Sequence, residues 1–436
     1  EASQMDGEEQ EFLHLFSFIC MLSFDVYVKK MVIEKLIDQL PQPEKHDKKK
    51  KENSYYIRGY KGTEVVIRTD HEILKRISYE RTCVKRIHIL RKYETETKYI
   101  YTSKGKRRSR RIVIPGIPVK DGSSMPRAVR TVLQALSYGG IEVDASRKLA
   151  DIKKMDPMSI FYKTLDAEVY NGDYKVPIRL FFPTEEAMEN GAASGRKPPV
   201  ILFFHGGGWV TESVENYQRV CARMAQSTGQ IVASVEYRLA PEYRFPVGLM
   251  DCYAAAKAFY TNRFLLNTDP DRITIMGDSA GGNLAAAVCM MARDRGEFYP
   301  KKQILIYPAL NNCYTEESPF ESVKTNGTGY LLTAEKMEDY LKLYESCPED
   351  RKNPYFAPIL EKDLRNMPDT LILTAEFDPL RDEGEAYGKR LKEAGNHVQI
   401  HRIKGALHGY FALGIKHLYV QESFTYINAF LKGEAL

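Results

Sequence analysis

Five short runs of this chain are dominated by apolar side chains: 199–204 (PVILFF), 231–235 (IVASV), 272–276 (RITIM), 302–307 (KQILIY) and 370–374 (TLILT). A strand with one wet face alternates apolar and polar residues, so continuous runs of this length suit strands covered on both faces. The stretches between and after them, 214–228, 247–262, 280–295, 382–394 and 418–432, read as helices. Repeated strand-then-helix order predicts an α/β fold with a mostly parallel central sheet flanked by helices.

Other segments hang on that frame. Residues 164–170 and 175–182 predict a hairpin turning at Asn171-Gly172-Asp173. Ser124 is placed to cap a helix running to Leu136, with Pro126 in its first turn, and a second helix is expected over 145–155. Residues 311–358 delay the next strand and contain an expected helix over 333–345; an insertion of that length reads as a lid or functional loop.

The first quarter of the chain differs in character. Residues 41–111 hold 22 Lys/Arg against 9 Asp/Glu, although the whole 436-residue chain carries only +5. Residues 41–52 (PQPEKHDKKKKE) read as a solvated linker. Residues 54–115 are strand-like at 65–67, 87–89 and 99–101, and carry the basic run 104–111. The expected division is an apolar, helical segment at 1–40, a basic region of unassigned fold at 41–115, a further segment at 116–163, and a main domain over 164–436.

Residues 12–28 (FLHLFSFICMLSFDVYV) are apolar, but acidic residues precede them and no cleavage site of small residues follows. A packed or interfacial helix is the expectation, which leaves membrane-surface association through 12–28 open. Its alternative is a true membrane anchor, 17 residues being at the short limit of a span, with Lys29 and Lys30 then favouring a cytoplasmic body. The chain opens on Glu1 rather than Met, so an upstream start is expected. Seven scattered cysteines with no CxxC pair argue against a disulfide framework or a zinc site, and favour a reducing, cytoplasmic location.

Chemistry is concentrated at Gly277-Asp278-Ser279-Ala280-Gly281, between the strand ending at Met276 and the following helix. A sharp strand-to-helix turn holds such a serine in strained geometry, and its neighbours at −2 and +2 must be small. A serine hydroxyl needs a base, and the base an orienting acid, in the chain order Ser, Asp/Glu, His. Of the downstream histidines, His397 and His401 lie in or beside a strand-like run and His417 on the last helix. His408 sits in a glycine-bracketed loop and is the expected base. Asp378 lies just past the strand 370–374 and is the expected acid; Asp382 reads as a cap of the next helix, and Glu376 as a weaker alternative. His205-Gly206-Gly207-Gly208-Trp209 directly follows the first apolar run, where backbone N–H groups can face a developing oxyanion, with the Ala280 N–H as a further donor. No GxxxxGK[ST] pattern accompanies the glycines, which argues against a phosphate site.

With these residues in hand, the stretch from about 121 to 432 resembles the hormone-sensitive-lipase-like esterases of α/β-hydrolase fold. HGGGW at 205–209, YRLAPE at 237–242, GDSAGG at 277–282, DPLRDEG at 378–384 and HGY at 408–410 match that family's pattern in order. The resemblance implies Ser279 as nucleophile, His408 as base and Asp378 as acid. It implies Gly206, Gly207 and Ala280 as oxyanion donors, and a structural loop over 237–245. It further implies a cap built from 116–163 and the 311–358 insertion, a preference for short acyl chains, and no cofactor or metal. Residues 1–115 have no counterpart in it.

The expected function is a carboxylic-ester hydrolase working through an acyl-serine intermediate on a small-molecule ester. The alternatives are an amidase or deacetylase, and, from another class, a non-catalytic ligand-binding protein on the same scaffold. The latter usually lacks a member of the triad. A homodimer is open on the sequence alone. The tyrosine-interleaved basic region suggests nucleic acid or an anionic surface, but solvated charge is the commoner cause of such runs, so nucleic acid is not the expected partner.

Overall fold

The computed structural model describes residues 54–59, 64–68 and 84–87, and from 143 to 434 all but 152–153, 155–158, 191–196, 262–265, 267 and 414–416. The chain divides into two compact units, Glu1–Leu136 and Ser137–Leu436, so the boundary falls inside the 116–163 segment expected to contribute to the cap. The 12–28 stretch, the 41–52 linker, the strand-like 99–101, the basic run 104–111 and the helix expected from Ser124 lie outside the described residues.

In the first unit, β1 (Ser54–Gly59), β2 (Glu64–Arg68) and β3 (Val84–Ile87) form an antiparallel sheet in the order β2-β1-β3. Tyr55 stands opposite Ile67, and Ile57 opposite both Val65 and Ile87.

The second unit begins with α1 (Val143–Asp151), the hairpin β4 (Thr164–Asn171) and β5 (Tyr174–Phe181), and the short α2 (Glu185–Asn190). Then strands and helices alternate: β6 (Val200–Phe204), α3 (Gln218–Thr228), β7 (Ile231–Val235), α4 (Val247–Tyr260), β8 (Ile273–Asp278), α5 (Ala280–Arg295) and β9 (Lys302–Ile306). The insertion carries α6 (Glu321–Asn326) and α7 (Ala334–Tyr344). The chain closes with β10 (Asp369–Phe377), α8 (Arg381–Glu393), β11 (Val398–Leu407), α9 (Tyr410–Leu413) and α10 (His417–Lys432).

Eight strands form one sheet in the order β11-β10-β9-β8-β6-β7-β5-β4. β5 is antiparallel to both β4 and β7, while every pairing from β7 through to β11 is parallel. All five residues of β6 and of β7 are buried, as both faces of a covered sheet require. Burying each Val, Ile, Leu or Phe contributes about 1.5–3 kcal/mol relative to exposure. The helix expected from 214 begins four residues later, because Val214 donates its N–H to Glu236 Oε2 (2.6 Å) and holds 214–217 in turns. Both α3 and α5 stop on glycines, Gly229 and Gly296, in the left-handed region that glycine adopts without a Cβ penalty.

Strand order reverses at β6: β7 lies on one side of it and β8 on the other. That reversal opens a crevice at the carboxyl ends of the strands, where open α/β sheets carry their sites. Among the described residues no helix is long and apolar enough to cross a membrane.

The loop 237–245 is tied down by charge. Asp251 on α4 is fully buried and accepts from Arg238 N (3.0 Å), Nε (2.8 Å) and Nη2 (2.7 Å), and from Asn171 Nδ2 at the hairpin turn (2.7 Å). The Arg238 guanidinium also lies 4.0 Å from the centre of the Tyr174 ring. Removing one partner of a buried pair leaves the other uncompensated. Asp251→Ala is therefore expected to lower stability by about 3–5 kcal/mol. A shift of the urea midpoint at constant m value measures this, and an unchanged midpoint would refute it.

Candidate active site

The crevice is built around the turn from β8 into α5. Ser279 sits at φ 54°, ψ −119°, outside the regions ordinary side chains prefer, and such geometry typically costs about 1–3 kcal/mol. It is held by a hydrogen bond from Ser279 N–H to Ile306 O (2.9 Å), and its carbonyl accepts from Asn283 and Ala309 N–H (3.1 Å each). The flanking glycines are sterically required. A Cβ on Gly277 would lie 2.2 Å from Gly281 O, and one on Gly281 would lie 2.0 Å from Phe204 O.

His408 follows β11, and its Nε2 lies 2.9 Å from Ser279 Oγ. Its Nδ1 lies 2.7 Å from Asp378 Oδ2, with the carboxylate fully buried. With Asp378 ionised, Nδ1 carries the proton and donates to it, leaving Nε2 to accept from the serine hydroxyl. The other Asp378 oxygen accepts Leu380 N–H (2.9 Å), so the acid is held within its own turn. Parallel pairing of β8 with β9, β9 with β10, and β10 with β11 brings the three residues to one edge.

The remaining candidates lie elsewhere. His397 stands at the start of β11, 3.9 Å from Asp369, and His401 stacks on Tyr426 with ring centres 3.9 Å apart. The His417 side chain lies outside the described residues. Glu376 accepts Gly405 N–H (2.6 Å), shaping the loop that leads to His408. Asp382, expected to cap its own helix, lies inside the first turn of α8, where its backbone is already helical. Its carboxylate accepts Ser322 N–H (2.7 Å) from the insertion instead.

The glycine loop leaves β6 beside the turn at Ser279, Phe204 pairing with Gly277. Gly206, expected as an oxyanion donor, has its N–H committed to Asp278 Oδ1 at 2.9 Å. Among the described residues the N–H groups of Gly207, Gly208 and Ala280 have no protein acceptor. Gly207 and Gly208 both have positive φ, 108° and 59°, so the loop needs glycine at each. His205 stacks on Tyr237, ring centres 4.4 Å apart, and its carbonyl accepts the Tyr237 hydroxyl (2.8 Å).

Asp278 is the residue that motif reading passed over. It is buried, yet accepts Gly206 N–H, Tyr217 O–H (3.0 Å) and Tyr307 O–H (3.2 Å). Burial pushes its carboxyl up to about 6, against the opposing pull of the Tyr217 hydroxyl and of the nearby histidines. Tyr307 packs against His408, ring centres 4.7 Å apart, and accepts Ala412 N–H at 3.3 Å. One carboxylate thus joins the glycine loop, the turn that leads into α3 and the surroundings of the imidazole. The available signal was its position: a charge at the inward end of a covered strand needs partners.

Two segments cover the loop. Arg147 on α1 donates to Val210 O and Ala240 O (2.9 Å each) and pairs with Glu242, whose carboxyl it holds down at about 2. From the insertion, Tyr344 stacks on Trp209 with ring centres 4.5 Å apart, and the Tyr340 ring lies over Gly208, 2.4 Å from where a Cβ would stand. Among the described residues no group of His, Cys, Asp and Glu is arranged to hold a metal ion.

Comparison with known proteins agrees with this architecture. Residues 201–412 match a family model described as alpha/beta hydrolase fold. An arylesterase of Saccharolobus solfataricus is 35% identical over 263 residues, 60% of this chain and 80% of the relative. An ethyl acetate hydrolase of Pseudomonas putida is 34% identical over 242 residues, 55% of this chain and 73% of the relative. Among solved structures, a hyperthermophilic esterase from the archaeon Pyrobaculum calidifontis is 36% identical, with a TM-score of 0.62, covering 70% of this chain and 97% of its own. The order of motifs along the sequence, the eight-stranded sheet and these relatives together establish that the chain belongs to the hormone-sensitive-lipase-like family of α/β-hydrolases.

Proposed function

We propose that this protein is a serine carboxylesterase that cleaves short-chain acyl esters through an acyl-serine intermediate. The observation that carries the reading is the pair of contacts made by His408, 2.9 Å to Ser279 Oγ and 2.7 Å to Asp378 Oδ2. Ser279 Oγ attacks the ester carbonyl carbon as His408 Nε2 takes the hydroxyl proton. Asp378 stays ionised, holds the tautomer and stabilises the imidazolium. The oxyanion is received by the N–H groups of Gly207, Gly208 and Ala280. As the intermediate collapses, His408 returns the proton to the leaving alkoxide oxygen, and the alcohol departs. His408 then takes a proton from water, whose oxygen attacks the acyl carbon. As that second intermediate collapses, the acyl C–Oγ bond breaks, His408 gives the proton to Ser279 Oγ, and the carboxylic acid leaves.

A scaffold kept only for binding has no need of this alignment, so catalysis is the reading favoured. The relatives' activities on esters point the same way. Asp278 supports the reading in a second manner. By anchoring Gly206 it fixes the two following N–H groups without occupying them, and fixed donors stabilise charge with little reorganisation. The Tyr340 ring lies over Gly208, one of the donors proposed for the oxyanion, and on this reading it narrows the space there and favours a small acyl group.

With p-nitrophenyl acetate at pH 7, Ser279→Ala is expected to abolish turnover and Asp378→Asn to lower kcat by about 10⁴-fold. Full turnover in the serine variant would sink the proposal. Asp278→Ala is expected to reduce kcat by about 10²-fold, the scale of one lost oxyanion donor, with KM changed far less. A defect confined to KM would show that the anchor does not act on the oxyanion. Across p-nitrophenyl esters of two to twelve carbons, Tyr340→Ala is expected to shift the preferred acyl length upward, whereas an unaltered profile would exclude Tyr340 as the limit.

A further inference from the structure

One buried acid takes no part in this chemistry. Glu383, in the first turn of α8, is fully buried. Its Oε1 accepts Leu310 N–H (2.7 Å), Asn311 N–H (3.2 Å) and Tyr314 O–H (2.8 Å). Among the described residues its Oε2 has no hydrogen-bond partner. The preceding residue on the facing segment, Ala309, donates its N–H to Ser279 O (3.1 Å). Three consecutive N–H groups, at 309, 310 and 311, therefore reach the nucleophile's carbonyl on one side and the acid's helix on the other. In the turn just before that helix, Asp378 accepts Leu380 N–H with its side chain and Arg381 N–H (3.2 Å) with its carbonyl. A displacement of α8 is thus a displacement of Asp378.

We propose that Glu383 is a positioning residue, which sets Asp378 against Ser279 by seating α8 on the 309–311 segment. This rests on reading Ser279, His408 and Asp378 as the catalytic triad. Two further contacts brace the same joint from the insertion. Ser322 Oγ donates to Pro379 O (2.7 Å), and Asn326 Nδ2 donates to Glu376 O (3.1 Å) and Asp378 O (3.2 Å). None of these reaches 309–311; Glu383 makes that link directly, while a longer route runs from Arg390 on α8 to Ile359 O and from Ile359 N–H to Leu310 O.

The protonation state follows from the surroundings. Glu383 faces Tyr314 from the insertion and the Asp378 carboxylate from its own loop, and among the described residues no Lys, Arg or His donates to it. Burial pushes its carboxyl up to about 8, opposed by the Leu310 N–H and Tyr314 O–H donors and reinforced by Asp378. That direction favours the neutral form, which adds no second negative charge beside Asp378. The unfolded chain releases this proton in the ordinary carboxylate range and the folded chain only near 8. The stability tied to the neutral form is therefore complete at acid pH and drains as the pH rises to about 8.

The test uses the full chain with Glu383→Gln and Glu383→Ala, assayed on p-nitrophenyl acetate, with Ser279→Ala as a separate control of the triad reading. Glu383→Gln keeps a neutral acceptor and is expected to retain kcat within about threefold at pH 6.5. Glu383→Ala is expected to lose at least tenfold in kcat, with KM within about threefold. An alanine variant that is folded by circular dichroism and has wild-type kcat would overturn the proposal. So would a glutamine variant as impaired as the alanine one. Should the alanine variant fail to fold, thermal unfolding of the other two decides. The wild-type midpoint is expected to fall relative to that of Glu383→Gln between pH 5 and 9, and parallel curves would overturn the inference. Activity surviving in Ser279→Ala would instead remove the triad reading beneath it.

Discussion

The close backbone crossing at Gly281 is the constraint on which the rest of this fold depends. The place where a Cβ would stand lies 2.0 Å from Phe204 O, so α5 can leave β8 only by running directly against the end of β6. That contact accompanies the positive φ of Ser279 and sets the glycine loop and Ser279 side by side. No side chain substitutes for the missing one, because the obstacle is backbone oxygen that cannot rotate away.

Two buried carboxylates then divide the work of holding this crossing in register. Asp278 faces the glycine loop and tyrosine hydroxyls, while Glu383 faces the segment that leads from β9 into the insertion. Each lies beside the Ser279–His408–Asp378 set without touching Ser279 Oγ or a ring nitrogen of His408. Burial raises both carboxyls, to about 6 and about 8, yet the two differ in consequence. Asp278 stays largely ionised at neutral pH, where three donors stabilise its charge. Glu383 is pushed further toward the neutral form, by burial first and then by the nearby Asp378.

The insertion belongs to the same system. Trp209, Tyr344, Phe356 and Phe245 form one aromatic cluster that docks it on the glycine loop, with Tyr344 and Phe356 stacked at 5.1 Å. The helix from which Tyr340 covers Gly208 is fixed by that cluster. Arg147 brings α1 to the same loop through charge rather than stacking.

Much of this was legible along the chain, and the physical reason is locality. Strand and helix periods repeat within a few residues, so β7 and α5 were marked out to the residue, and the hairpin turn at Asn171-Gly172-Asp173 announced itself. The start of α3 was not legible, because Val214 is held in a turn by Glu236, twenty-two residues away. The acid and base candidates could be ranked by their place after strands, since in a parallel sheet all carboxyl ends meet at one edge. Which glycine N–H groups stay available could not be ranked, because Gly206 is committed by Asp278 across seventy-two residues. Asp382 was misread for the same reason: its partner is Ser322, on a segment whose packing no local pattern encodes. The sequence by itself therefore determined the order of elements and the kind of chemistry, both of which follow from local periodicity and motif. Only the tertiary structure decided which polar groups are committed to the frame and which are left without a protein acceptor beside Ser279. Hydrogen bonds between distant segments are settled when those segments pack.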